Sequence, residues 1–174
     1  MHLKRILDLT LGSALLALTA PLLAAAAAAT ALRRPPGGVF AREACTGLDG
    51  RPFTLRTLRT RHRHLATLSR LPHVVRGEMS LVGPAPLPPG APGEDARWRR
   101  SVKPGLTGLA QVRGGSGLPW DEPLMLDQHY VEHHGIGLDV ALLLRTPAAL
   151  LTAPRGEADL SDADHRRRGY SAAE

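Results

Sequence analysis

A run of 24 residues without a charged side chain, Leu9 to Leu32, constrains this chain more than any other feature. As an α-helix at about 1.5 Å per residue it spans roughly 36 Å, longer than the ~30 Å hydrocarbon core of a bilayer. Lys4 and Arg5 precede the run and Arg33 and Arg34 follow it, whereas a one-way span carries its positive excess on one side. Pro21, near the centre, removes a backbone donor and crowds the preceding turn. A helix-break-helix that dips into the membrane and returns brings both basic ends to the same anionic face. This re-entrant anchor, over residues 1–34, is the expectation. The same residues also fit a cleavable signal peptide, with the alanines Ala24 to Ala29 before its cut, or a single span kinked at Pro21. Asp8, one turn beyond Lys4 and Arg5, is expected to pair with them locally.

The rest of the chain supports one small domain, residues 35–152. Aromatic residues make up 3% of the chain, with 18 glycines and 15 prolines, so the core outside the anchor should be small and loop-rich. The net charge of +6 suits an anionic partner such as phospholipid, a nucleotide diphosphate or nucleic acid. A lone cysteine, Cys45, excludes an internal disulfide framework and any zinc site made of cysteines alone.

Val39 to Thr46 and Pro52 to Leu58 partly alternate around Asp49-Gly50 and predict a β-hairpin. Arg56 to His64 packs four arginines and two histidines into nine residues; this strip fits phosphates or lipid headgroups, or is simply a solvated face. It lacks neighbouring aromatics to stack bases, and no nucleic-acid-binding motif accompanies it, so nucleic acid is not an expected partner. Leu65, Leu68 and Leu71 predict a short helix stopping near Pro72. Lys103 to Gly117 is glycine-rich, with backbone amides that could cradle phosphate, but in neither P-loop nor dinucleotide-fold spacing. A helix is predicted from about Asp121 to His134. Its His129 and His133, one turn apart, read as surface histidines rather than metal ligands. Gly137 to Leu151 predicts an apolar helix, interfacial or packed in the core, broken at Pro147. The tail, residues 153–174, reads as disordered.

Six segments, in order, carry a resemblance: "KRILDL" with the Pro21 break, "GLDGRPFTLRTLRT", "VVRGEMSLVGPAP", "VKPGLTGLAQV", "LDQHYVEHH" and "LDVALLLRT". Together they resemble the bacterial sugar transferases, small monotopic phosphoglycosyl transferases acting on polyprenyl phosphate. The resemblance implies a re-entrant membrane helix and a loop-rich α/β head with interfacial amphipathic helices on the cytoplasmic face of the bacterial membrane. It also implies transfer of a sugar phosphate from a nucleotide diphosphate sugar to a polyprenyl phosphate, in exopolysaccharide or glycoconjugate biosynthesis. In the family an aspartate attacks the β-phosphate and the adjacent glutamate holds Mg²⁺.

That acidic pair is absent here. Aligned back from Gly77, its positions hold Ala66 and Thr67; a shifted gap gives Ser69 and Arg70 instead. Between Arg61 and His64 the chain also lacks a stretch that precedes the pair in the family. Thr57, Ala85 and Gly115 stand where the family has basic residues. Glu78 (Glu for Asp), Asp127 and Tyr130 match, and Arg42, Arg59, Lys103 and Arg113 remain as expected phosphate contacts. The alternative the residues leave open is a catalytically silent member that binds lipid phosphate or partners an active relative.

Overall fold

The computed structural model describes residues 2–34, 37–90, 96–113 and 123–152. Gly115, the expected helix start at Asp121 and the tail 153–174 lie outside them. The architecture is mixed α/β: a long apolar helix, α1 (His2–Leu32), followed by a small head. The head runs β1 (Phe40–Thr46), β2 (Pro52–Leu58), α2 (Arg63–Leu68), α3 (Leu71–Arg76), β3 (Ser80–Val82), β4 (Gly105–Thr107), α4 (Leu109–Arg113), α5 (Pro123–His133) and α6 (Ile136–Thr152).

The hairpin forms as its pattern predicts, β1 and β2 pairing antiparallel from Phe40 opposite Leu58 to Thr46 opposite Pro52. Asp49 and Gly50 turn the chain with positive φ, 57° and 74°, the region Asp and Gly enter at least cost. The free edge of β2 is covered by side chains: His73 Nε2 accepts the Arg56 amide at 3.0 Å and Ser69 Oγ accepts the Leu58 amide at 2.9 Å. An edge strand is thereby closed to further pairing.

β3 and β4 pair in parallel, and glycine makes their approach possible. A Cβ on Gly105 would stand 2.1 Å from the Gly83 nitrogen, and one on Gly108 would stand 2.2 Å from the Gly83 oxygen. Gly105 and Gly108 thus serve backbone packing, where the expectation is a loop that offers amides to a phosphate; its other glycines lie outside the described residues. The core draws on Cys45, Leu55, Leu71, Val74, Met79, Leu81, Val82, Tyr130 and Leu142. Leu71, Val74 and Met79 are fully enclosed, each contributing about 1.5–3 kcal/mol.

Three prolines behave differently from expectation. α1 is one helix with Pro21 inside it, so the expected helix-break-helix is not an interruption. Proline forfeits one hydrogen bond, and the alanine- and leucine-rich turns on either side carry the helix through. Pro72 opens α3 instead of ending a helix; in the first turn its missing N–H has no intrahelical partner to lose. α6 likewise continues through Pro147.

Asp8 also departs from local pairing with Lys4 and Arg5. It is buried and accepts from Ser80 Oγ at 2.8 Å and from the Leu81 amide at 2.9 Å. Lys4 Nζ instead donates to Asp139 at 2.6 Å, to the Tyr130 hydroxyl at 2.9 Å and to the Val82 carbonyl at 3.1 Å. Arg5 donates to the Val74 and Val75 carbonyls, each at 2.8 Å. A helical i,i+4 pair is worth only ~0.2–0.5 kcal/mol, so groups the head would otherwise bury unpaired take these side chains. The residues that flank the apolar run are the bolts between anchor and head.

Candidate active site

The hairpin tip, the end of α3 and the segment before β4 enclose a cavity of about 510 Å³. Asp49, Arg51 and Phe53 come from the hairpin, Arg76, Gly77 and Glu78 from the exit of α3, and Lys103 from the approach to β4. α3 ends at Gly77, whose φ of 89° is left-handed. A side chain there would also meet the Arg5 guanidinium at 3.1 Å. The amides of Gly77, Glu78 and Met79 all turn back onto the His73 carbonyl, at 3.1, 3.0 and 3.2 Å, which fixes the backbone that presents Glu78.

His73 then fixes the carboxylate itself. The ring is buried and its Nδ1 lies 2.5 Å from Glu78 Oε2. A backbone N–H can only donate, so the Nε2 that receives the Arg56 amide must keep its lone pair. The ring is therefore the Nδ1–H tautomer and donates to Glu78. One carboxylate oxygen is anchored and the side chain stays partly exposed toward the cavity.

Three cations surround it: Arg51, Arg76 and Lys103. Partial burial pushes the Lys103 ammonium below its ordinary range, the Arg5 charge pushes it further, and Asp8 opposes both. An arriving anion relieves that repulsion, which suits a diphosphate.

Of the residues expected from sequence, the structure brings Glu78 and Lys103 into the cavity. Arg42 is exposed on β1 opposite Arg56, and Arg59 and Arg113 are exposed at the ends of β2 and α4. Asp127 is buried and takes Arg99 Nη2 at 2.6 Å; burial pushes its carboxyl up while Arg99 opposes. Tyr130 is buried and donates to Asp139 at 2.6 Å, its hydroxyl pushed well above the ordinary phenol range by burial and then by Asp139. His129 and His133 are exposed with ring centres 4.4 Å apart. Arg51, Arg76, Asp49 and His73 were not singled out from sequence. Of these only Asp49 enters the sequence reading, as part of the Asp-Gly turn; the residues meet through long-range folding.

Ala66 and Thr67 sit half-buried in α2. Ser69 and Arg70 are engaged with β2, Arg70 Nε donating to Thr57 Oγ1 at 3.0 Å. Neither placement of the acidic pair yields a carboxylate. Among the described residues no three acid, histidine or cysteine side chains group to hold a metal ion; the carboxylates that line the cavity are Asp49 and Glu78. Two of the missing cations have neighbours in their place: the Arg70 guanidinium is bonded at Thr57, and Arg99 Nη1 donates to the Ala85 carbonyl at 2.7 Å.

An apolar helix bolted to a small α/β head, with a cationic cavity around an oriented carboxylate, is an arrangement that suits a phosphorylated ligand. Comparison with known proteins makes this specific. The bacterial sugar transferase profile matches residues 1–66 and 61–153. A UDP-glucose:undecaprenyl-phosphate glucose-1-phosphate transferase of Caulobacter vibrioides is 35% identical over 190 aligned positions, covering 86% of this chain and 70% of the relative. An uncharacterized sugar transferase of Bacillus subtilis, EpsL, is 32% identical over 182 positions, covering 88% and 89%. The exopolysaccharide production protein ExoY of Sinorhizobium fredii is 33% identical over 97 positions, covering 51% and 41%. The chain belongs to the bacterial sugar transferase family.

The comparisons also bear on the missing stretch. The profile matches in two parts that overlap at residues 61–66, the region where a stretch is expected from the sequence to be missing. The alignments with the Caulobacter and Bacillus relatives have more positions than this 174-residue chain has residues, so both relatives carry residues without a counterpart here.

Proposed function

We propose that this chain moves a sugar phosphate from a nucleotide diphosphate sugar to polyprenyl phosphate in exopolysaccharide biosynthesis, as a monotopic protein with its head on the cytoplasmic face. The observation that carries the reading is the cavity in which Arg51, Arg76 and Lys103 surround Glu78, on a head fastened to an apolar helix. The names of the relatives point to UDP-sugars and undecaprenyl phosphate as the substrates. The three cations bind and orient the diphosphate, and a site at headgroup level brings a soluble anion to a membrane-embedded one. The stripe of exposed Ile136, Val140 and Leu144 on α6, at i, i+4 and i+8, supports an interfacial seat for that helix. Arg42, Arg59 and Arg113 lie outside the cavity and suit headgroup contact.

A second reading, a silent member that binds lipid phosphate or partners an active relative, is favoured by Ala66 and Thr67. The deciding experiment offers purified full-length chain a panel of UDP-sugars labelled in the sugar phosphate, with undecaprenyl phosphate and Mg²⁺ supplied. Labelled lipid from the unmodified chain is the expected result. Transfer only after Ala66→Asp with Thr67→Glu leaves a silent scaffold whose remaining site is intact. No transfer by either overturns the transferase reading.

A further inference from the structure

We infer that Glu78 is the nucleophile of this chain, standing in for the carboxylate missing at Ala66, with His73 as its positioning residue. The inference rests on the transferase reading above. Two carboxylates line the cavity, and they are not equivalent. Asp49 is exposed at the hairpin tip. Glu78 follows a helix cap fixed by three amides on one carbonyl, and its Oε2 is held at 2.5 Å by a buried ring that is itself held by a strand amide. With Oε2 anchored, Oε1 is the atom left to meet a substrate, and Arg51, Arg76 and Lys103 share its cavity. Such cations carry the charge of a diphosphate and of the displaced phosphate, the work that a metal at the missing acidic pair does elsewhere in the family.

The chemistry balances without any further reactant. A lone pair of Oε1 forms a bond to the β-phosphorus of the nucleotide diphosphate sugar. The bond from that phosphorus to the bridging oxygen breaks, and its electron pair leaves on the nucleoside monophosphate. The sugar phosphate is then an acyl phosphate on Glu78. A phosphate oxygen of the polyprenyl phosphate attacks the same phosphorus, the bond to Oε1 breaks, and the carboxylate is restored as the polyprenyl diphosphate sugar departs. Charge is conserved in both steps and no proton changes hands.

The test incubates the full chain in detergent micelles with β-phosphate-labelled UDP-sugars and no lipid acceptor, then locates the label. Cleavage after Arg76 and Arg97 isolates residues 77–97, and borohydride reduction marks an acyl phosphate at its own residue. The expected result is label at Glu78 with one nucleoside monophosphate released per label, discharged when undecaprenyl phosphate is added. Glu78→Gln should lower labelling by about a thousandfold or more. His73→Asn should lower the labelling rate while leaving half-saturation by UDP-sugar near that of the unmodified chain, a split that loss of fold would not give. The mapping uses the unmodified chain, so a misfolded variant does not decide the matter. Lipid product with label at another residue, or with none, overturns the assignment and leaves the transferase reading standing. A silent chain that becomes active only as Ala66→Asp with Thr67→Glu also overturns the assignment, while silence from both overturns the two together.

Discussion

Cys45 lies in β1 with 1% of its surface exposed, against the core side of the hairpin. Burial, with the nearby Glu43 carboxylate adding to it, pushes its thiol up to about 11. At pH 8 about one molecule in a thousand then holds the thiolate that alkylating reagents need, against about one in four for a free thiol near 8.5. Iodoacetamide at pH 8 is therefore expected to modify the folded chain roughly 250-fold more slowly than the chain in urea. Equal rates would place the thiol at the surface. The sign for stability follows from proton binding: between about pH 8.5 and 11 the folded state holds a proton the unfolded state has lost, so stability falls as pH rises through that window.

Docking of α1 depends on Asp8, which satisfies a buried hydroxyl and a buried amide of β3. Replacing it with alanine strands both, at about 1–3 kcal/mol for each buried unpaired group. Asp8→Ala should lower the thermal midpoint more than Asp8→Asn, whose carbonyl can still accept the Leu81 amide. Two variants as stable as the parent would show that the contact is not made. At this scale the alternation around Asp49-Gly50 was enough to find the hairpin, and the apolar run enough to find α1. Pro21, Pro72 and Pro147 misled because a proline costs one hydrogen bond, while helix ends are decided by the turns and tertiary packing around it. Asp8, His73 and the meeting of Gly83 with Gly105 were illegible for another reason. Their partners lie far along the chain, and local pattern carries no trace of them. Of the candidate site, Glu78 and Lys103 could be named from the sequence. The ring that aims Glu78 and the two arginines beside it could not.

Both ends of α1 are tied to the same head. Lys4, Arg5 and Asp8 are hydrogen-bonded to it, and the far end is joined to β1 through residues 33–39. Seven residues reach at most about 25 Å, short of the ~30 Å hydrocarbon core. We propose that, with the head on one side of a membrane, both ends of α1 lie on that side. Single cysteines at Leu3 and Arg34, on a Cys45→Ser background in sealed vesicles, are expected to react with an impermeant maleimide from the same face. Reaction from opposite faces would mean a through-going span and a detached N-terminus. The Lys4–Asp139 ion pair thus has a consequence for biogenesis. Under that topology a chain fastened at both ends of its apolar segment would export no loop and would offer nothing to a peptidase on the far side. Such a chain would be free to enter the bilayer after synthesis is complete, folding and inserting as a single event.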